Sequence, residues 1–250
     1  MQYGICPLSV VPIRSIAADT GEMTSQLLYG EHFKVLEQRK VWCKIRVAFD
    51  GFEGWINNNQ ILIIDKIDYD SVEDRVDQNY SVDLVSFVNV QSAGLRPILL
   101  GSTVNNATIL PDTFEGTYVK TRQDKYNLIK TALLYLGAPF LWGGRTPFGL
   151  DSSGFTQMVY KINGYRLKRN ALEQSTQGEA LSFIEESEAG DLAFFDNSDG
   201  VIDHVGLIMD NNYIIHVFGK VRIDRIDHAG IFNNEINQYT HKLRVIKKVI

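Results

Sequence analysis

A hydroxyl at the start of a helix, with two imidazoles further along the chain, is the pattern in this sequence best able to do chemistry. Ser152 lies in the run Leu150-Asp151-Ser152-Ser153-Gly154-Phe155, Trp142-Gly143-Gly144 stands just upstream, and His204 and His216 follow. At a helix N-terminus the backbone dipole and unpaired N–H groups favour an anionic attacking atom, and a histidine beside it completes the pair. That combination serves acyl transfer through a covalent intermediate. A thiol, with a reference pKa of about 8.5, is readily driven to thiolate in such a place. A hydroxyl must lose its proton during the attack itself, usually to a histidine backed by a carboxylate. His216 is not a carboxylate, so Ser152 predicts turnover lowered by roughly several orders of magnitude.

These groups must be positioned by elements that the sequence also outlines. Asp151 is an N-cap residue type, Phe155, Val159 and Ile162 form an apolar stripe at helical spacing, and Asn163-Gly164 ends the helix. His204 and His216 flank the turn Asp210-Asn211-Asn212. An odd-numbered hairpin loop puts both imidazoles on one face as opposite or diagonal neighbours, whereas a two-residue loop opposes them; the odd loop is expected. Tyr126, Ile129, Leu133 and Leu136 predict a helix that stops at Gly137. A third helix is expected over 170–181, and strands over 191–196, 201–209, 213–218 and 242–249. Helices first and strands later indicate an α+β domain over 122–250.

Upstream, Val41, Cys43, Ile45 and Val47 alternate with Trp42, Lys44 and Arg46, and Asp50-Gly51 supplies a turn. This is the period of a half-buried strand and suggests a small β-barrel over 1–64. The acidic stretch 65–79 reads as a linker, and the short apolar runs of 80–121 read as a second, diverged β-unit. The 250 residues are 44% hydrophobic with a net charge of −5, both signs interspersed, which argues against nucleic-acid and membrane partners. Cys6 and Cys43 are expected as two buried thiols rather than a disulfide. The first residues lack the signal-peptide pattern, giving an expectation of a cytoplasmic chain, or of a periplasmic or secreted one had a signal been removed. His32, His228 and His241 show no metal-ligand spacing and read as ordinary surface or loop residues, so neither metal nor cofactor is expected.

Residues from about 123 to 245 resemble the NlpC family of papain-like cysteine peptidases. That family's helix-start motif Asp-Cys-Ser-Gly follows Trp-Gly-Gly and precedes a Gly-Asp-Leu strand and a His-Val-Gly strand. The counterparts here are Asp151-Ser152-Ser153-Gly154, Trp142-Gly143-Gly144, Gly190-Asp191-Leu192 and His204-Val205-Gly206. The front of the chain is similar to the bacterial SH3-like modules of γ-D-glutamyl-L-diamino acid endopeptidases. The resemblance implies helices packed on an antiparallel sheet, preceded by two small SH3-like β-barrels. It implies Ser152 in the nucleophile's place, His204 as general base and His216 as the residue orienting it. It also implies that Asp151 and Ser153 hold the free amine of a terminal L-alanine, that Trp142 walls the pocket, and that Glu22, Phe52 and Trp55 close it. Plainer alternatives are simple packing in a sheet for His204 and His216, a helix cap for Asp151, core packing for Trp142, Phe52 and Trp55, and a solvated loop charge for Glu22. The implied ligands are short murein peptides with a free N-terminal L-Ala, either cleaved or, as an alternative, bound and sensed without cleavage. Oligomeric state is not legible.

The chain departs from the family's pattern at several positions. Ser152 replaces the cysteine, Phe140 and Phe52 stand where tyrosines are common, and Asn170 stands where an aspartate is usual.

Overall fold

The computed structural model describes residues 2–91, 93–120 and 122–250. The chain divides into two compact units, Met1–Arg122 with Trp142–Pro147, and Gln123–Leu141 with Phe148–Ile250.

In the first unit β1 (Gln2–Ile5), β2 (Val10–Arg14), β3 (Met23–Leu28), β4 (His32–Gln38), β5 (Trp42–Val47), β6 (Glu53–Asn57) and β7 (Leu62–Ile64) form one antiparallel sheet, in the order β3-β2-β6-β5-β4-β1-β7. The expected alternation is β5, which buries Cys43, Ile45 and Val47 and leaves Trp42, Lys44 and Arg46 at least partly open. Val11, Ile13, Leu27, Phe33, Val35 and Ile56 share that core with Cys6, and both cysteines are buried within it.

The expected linker 65–79 instead carries a helix, α1 (Lys66–Glu73), capped by the Asp65 side chain on the Asp68 N–H. Its acidic surface conceals Tyr69 and Val72, three residues apart, which share a second core with Ile5, Ile64, Val88 and Ile98. Beyond it, β8 (Asn79–Ser81) pairs with β12 (Tyr118–Lys120), and β9 (Val85–Val90) lies between β10 (Gly94–Leu99) and β11 (Asp112–Phe114). These strands make a three-stranded and a two-stranded sheet where a second small barrel is expected. Several are only three residues long, and their buried apolar residues share a core with Ile5 and Ile64 of the seven-stranded sheet and with α1. The segment Trp142–Pro147, with β13 (Arg145–Thr146), belongs to this unit.

The second unit holds α2 (Asn127–Leu133), β14 (Gly149–Leu150), α3 (Ser152–Ile162), α4 (Ala171–Gln174), β15 (Glu179–Leu181), β16 (Leu192–Asp196), β17 (Ile202–Met209), β18 (Tyr213–Phe218), β19 (Lys220–Asp227), β20 (Gly230–Asn233) and β21 (Gln238–Lys248). Its antiparallel sheet runs β15-β21-β16-β17-β18-β19-β20, and β20 also pairs with β21, closing six strands into a ring. The interior is Ala193, Phe195, Ile208, Ile214, Ile226, Ile231 and Ile246. Helix α3 packs on β17 and β18, α4 on β17, and α2 on α3. Among the described residues no helix is long and apolar enough to cross a membrane.

Three expectations change here. Helix α2 forms, but Tyr126, Leu133 and Leu136 are exposed and its buried residues are Leu128, Thr131 and Ala132. Both faces carry apolar residues, and period alone does not say which one meets the core. The third helix is only α4, because Gly178 takes a positive φ and the chain enters β15. Strands β19 and β20 were not anticipated.

Candidate active site

The first turn of α3 is held from three directions. The Asp151 side chain accepts the Gly154 N–H at 2.7 Å, as its residue type predicts. Its two oxygens also accept Arg169 Nη1 at 2.9 Å and Nη2 at 2.7 Å, and Ser153 Oγ, which donates to Asp151 at 3.1 Å, accepts Arg169 Nη1 at 3.0 Å. From α4, Gln174 donates to the Ser153 carbonyl and accepts the Thr156 hydroxyl. Ser152 opens this braced turn and is itself buried. Among the described residues its Oγ makes no hydrogen bond, and neither do the N–H groups of Ser152 and Ser153, two donors of the kind that stabilise an oxyanion.

Opposite pairing on the sheet supplies the imidazoles. The hairpin loop is the three-residue Asp210–Asn212 turn, and the register Gly206↔His216 places His204 diagonal to His216 on one face. His204 Nε2 and His216 Nδ1 are 2.9 Å apart. Gly206 permits this: a Cβ there would come 2.7 Å from Ile214 Cδ1 and 2.9 Å from the His216 Cβ.

The relay continues to a residue the sequence reading did not single out. Asp224 on β19 is again one diagonal step away, the register being His216↔Arg222, and its Oδ2 lies 2.9 Å from His216 Nε2. Arg222 grips the same carboxylate at 2.6 Å and 2.9 Å and reaches Glu235 at 2.9 Å. The available signal was the alternation of Val221, Ile223 and polar neighbours after the turn at Gly219.

Electrostatics give the chain of hydrogen bonds a direction. Burial acts to raise the Asp224 carboxyl, but the hydrogen bonds from His216 and Arg222 outweigh it and hold the group below the ordinary carboxylate range. An ionised Asp224 can only accept, so His216 donates from Nε2 and accepts at Nδ1. His204 therefore donates from Nε2 and keeps its lone pair on Nδ1. That nitrogen has no hydrogen-bond partner among the described residues. Burial, then His241 and His216, push His204 well below its ordinary 6.5. Burial likewise lowers His216 against the raising influence of Asp224, and takes His241, with help from His216, down to about 4.

His241 was expected to be an ordinary surface or loop residue. It stacks on His204 instead, ring centres 4.0 Å apart, and its Nδ1 meets Thr240 Oγ1 at 2.8 Å. The ligand atoms of His204, His216 and His241 lie within 4.8 Å of one another, a grouping able to hold a metal ion. The 2.9 Å between His204 Nε2 and His216 Nδ1 is nevertheless a hydrogen-bond length. Two nitrogens on one tetrahedral zinc, each about 2.0–2.1 Å from it, stand about 3.3 Å apart. The distances fit a proton relay better than a ligand set.

The remaining expected residues fall as follows. The Asp151 carboxylate serves the chain's own Arg169 and the helix cap, a different partner from a substrate amine, because a buried carboxylate requires a counter-charge. Phe52 packs against the first core, Trp55 is buried with the Arg39 guanidinium 4.1 Å from its ring centre, and Glu22 is exposed. Trp142 is exposed within the first unit. Phe140 is exposed, and Asn170 precedes α4 without a side-chain cap bond. Buried Asp191 has a structural task, accepting Lys125 Nζ at 2.7 Å and the Glu188 N–H at 2.9 Å.

Comparison with known proteins agrees with this architecture. Residues 137–241 match the NlpC/P60 family, and residues 13–61 match the bacterial dipeptidyl-peptidase Sh3 domain. Over 232 residues, 79% of this chain and 68% of the relative, the sequence is 25% identical to a gamma-D-glutamyl-L-lysine dipeptidyl-peptidase of Bacillus cereus. A protein of the same name from Bacillus subtilis is 39% identical over 92 residues, 36% of this chain and 31% of that one. The fold is similar to a crystal structure of an NlpC/P60 family protein from Bacillus cereus, with a TM-score of 0.80 at 18% identity, covering 99% of both chains. An NlpC/P60 endopeptidase from Photobacterium damselae subsp. piscicida aligns with a TM-score of 0.68 at 15% identity, covering 97% of this chain and 70% of that one.

Proposed function

We propose that this chain, which carries an NlpC/P60 domain behind a bacterial dipeptidyl-peptidase SH3 domain, acts on short murein-derived peptides at the bond between γ-D-glutamate and the following diamino acid. The observation that carries this reading is the oriented imidazole pair, His204 on His216 at 2.9 Å, on the sheet against which the Ser152 helix packs. His204 is the base, His216 orients it, and residue 152 is in the attacking position, with the Ser152 and Ser153 N–H groups aimed at the oxyanion. The relatives named for γ-D-glutamyl-L-lysine peptides support the choice of bond. A substrate with a free terminal L-alanine fits recycling of wall fragments, for which we place the chain in the cytoplasm.

A second reading is favoured by Ser152 itself: a binding protein that kept the pocket and senses L-Ala-γ-D-Glu peptides without cutting them. Calorimetric titration with L-Ala-γ-D-Glu-L-Lys and its diaminopimelate counterpart, with mass spectrometry for released L-Ala-D-Glu, separates the two. Binding is the expected result for the wild type and for Ser152→Cys, with faster release by the cysteine form. Binding of both peptides without release by either form supports the sensor. Failure of both forms to bind either peptide ends the substrate assignment.

A further inference from the structure

We propose that Ser152 is a working nucleophile of serine type, made so by Asp224, which holds His216 so that His216 holds His204. The inference rests on the site described above and supplies its chemistry. Three observations carry it. Asp224 is buried, with Oδ2 2.9 Å from His216 Nε2, and Arg222 fixes both of its oxygens. The residues of the relay, His204, His216 and Asp224, occupy successive diagonal positions on β17, β18 and β19, so one register error in either hairpin would separate them. The hydrogen bonds also run in one direction only, leaving His204 Nδ1 as an acceptor.

A thiol needs little of this, because a neighbouring imidazole and a helix start suffice to ionise it. A hydroxyl requires its base to become an imidazolium in the transition state, inside a site where burial opposes that charge. A carboxylate at the end of the relay offsets it. In the proposed step the Ser152 Oγ–H proton passes to His204 Nδ1 as the oxygen bonds to the γ-glutamyl carbonyl carbon. The tetrahedral oxyanion then collapses, the C–N bond breaks, and the leaving amine takes the proton from Nδ1. Water, deprotonated by the same nitrogen, hydrolyses the ester and restores the hydroxyl. Asp224 remains ionised throughout and is a positioning residue; Ser152 and His204 are the catalytic ones.

A fluorophosphonate reports this without any peptide. Intact-mass spectrometry is expected to show one adduct on the wild type, mapped to Ser152, and none on Ser152→Ala. Asp224→Asn should slow labelling by at least about a hundredfold, with Asp224→Glu recovering part of the rate. The decisive control is Ser152→Cys: its alkylation by iodoacetamide should change by less than about tenfold when Asp224→Asn is added, because the thiolate depends less on the relay. Equal slowing of both chemistries would make Asp224 a merely structural residue and overturn the proposal. So would a wild type as inert as Ser152→Ala beside a reactive Ser152→Cys. Peptide affinity is measured separately, so loss of peptide binding with intact labelling sinks the substrate reading alone.

Discussion

At the scale of single residues, Asp151 shows how one side chain can be read from sequence and still acquire an unexpected partner. Its type and position announce a helix cap, and it caps. The ion pair with Arg169, at 2.7 Å with both groups buried, was not announced, because nothing in the intervening residues says that the chain turns back there. Removing one member of a buried pair leaves the other charge uncompensated, at a cost of about 3–5 kcal/mol. Asp151→Ala should therefore lower stability by that amount in urea titrations, well beyond the roughly 1 kcal/mol of a lost cap. The double variant Asp151→Ala/Arg169→Met should recover most of the loss. A single-variant loss of only about 1 kcal/mol would show that Arg169 finds solvent or another acceptor.

At the scale of elements, β17, β18 and β21 bring three histidines together, and their lowered pKa values couple folding to pH. All three start from an ordinary value of 6.5 and are lowered in the folded chain, His241 to about 4. Below about pH 6.5 the unfolded chain binds protons that the folded chain refuses. Stability is therefore full above that pH and declines as the solution is acidified, by up to about 1.4 kcal/mol per pH unit for each histidine kept neutral. Denaturant midpoints should be nearly constant between about pH 7 and 8 and fall from about 6.5 toward 5. His241→Phe, which retains a ring to stack on His204, should flatten part of that fall; an unchanged slope would remove His241 from the account.

At the scale of the whole molecule, contacts distant in sequence decide what belongs together. Arg145 lies next to the motif Trp142-Gly143-Gly144, yet its guanidinium makes two 2.9 Å bonds to Glu31 within the first unit, and both side chains are buried. Glu31→Gln should destabilise the first unit by about 3–5 kcal/mol, read as an earlier thermal transition; a loss under about 1 kcal/mol would show that the pair is not held dry. The sequence by itself determined what depends on neighbours a few residues away. This includes the capped α3, the β5 alternation, the odd hairpin loop that sets His204 beside His216, and the two thiols of the first core. Only the tertiary structure decided the buried side of α2, the helix within the expected linker, the partner of Asp151, the stacking of His241 and the carboxylate behind His216. Those depend on which surfaces meet after the chain returns, and local period and spacing carry no record of a partner that arrives from another strand.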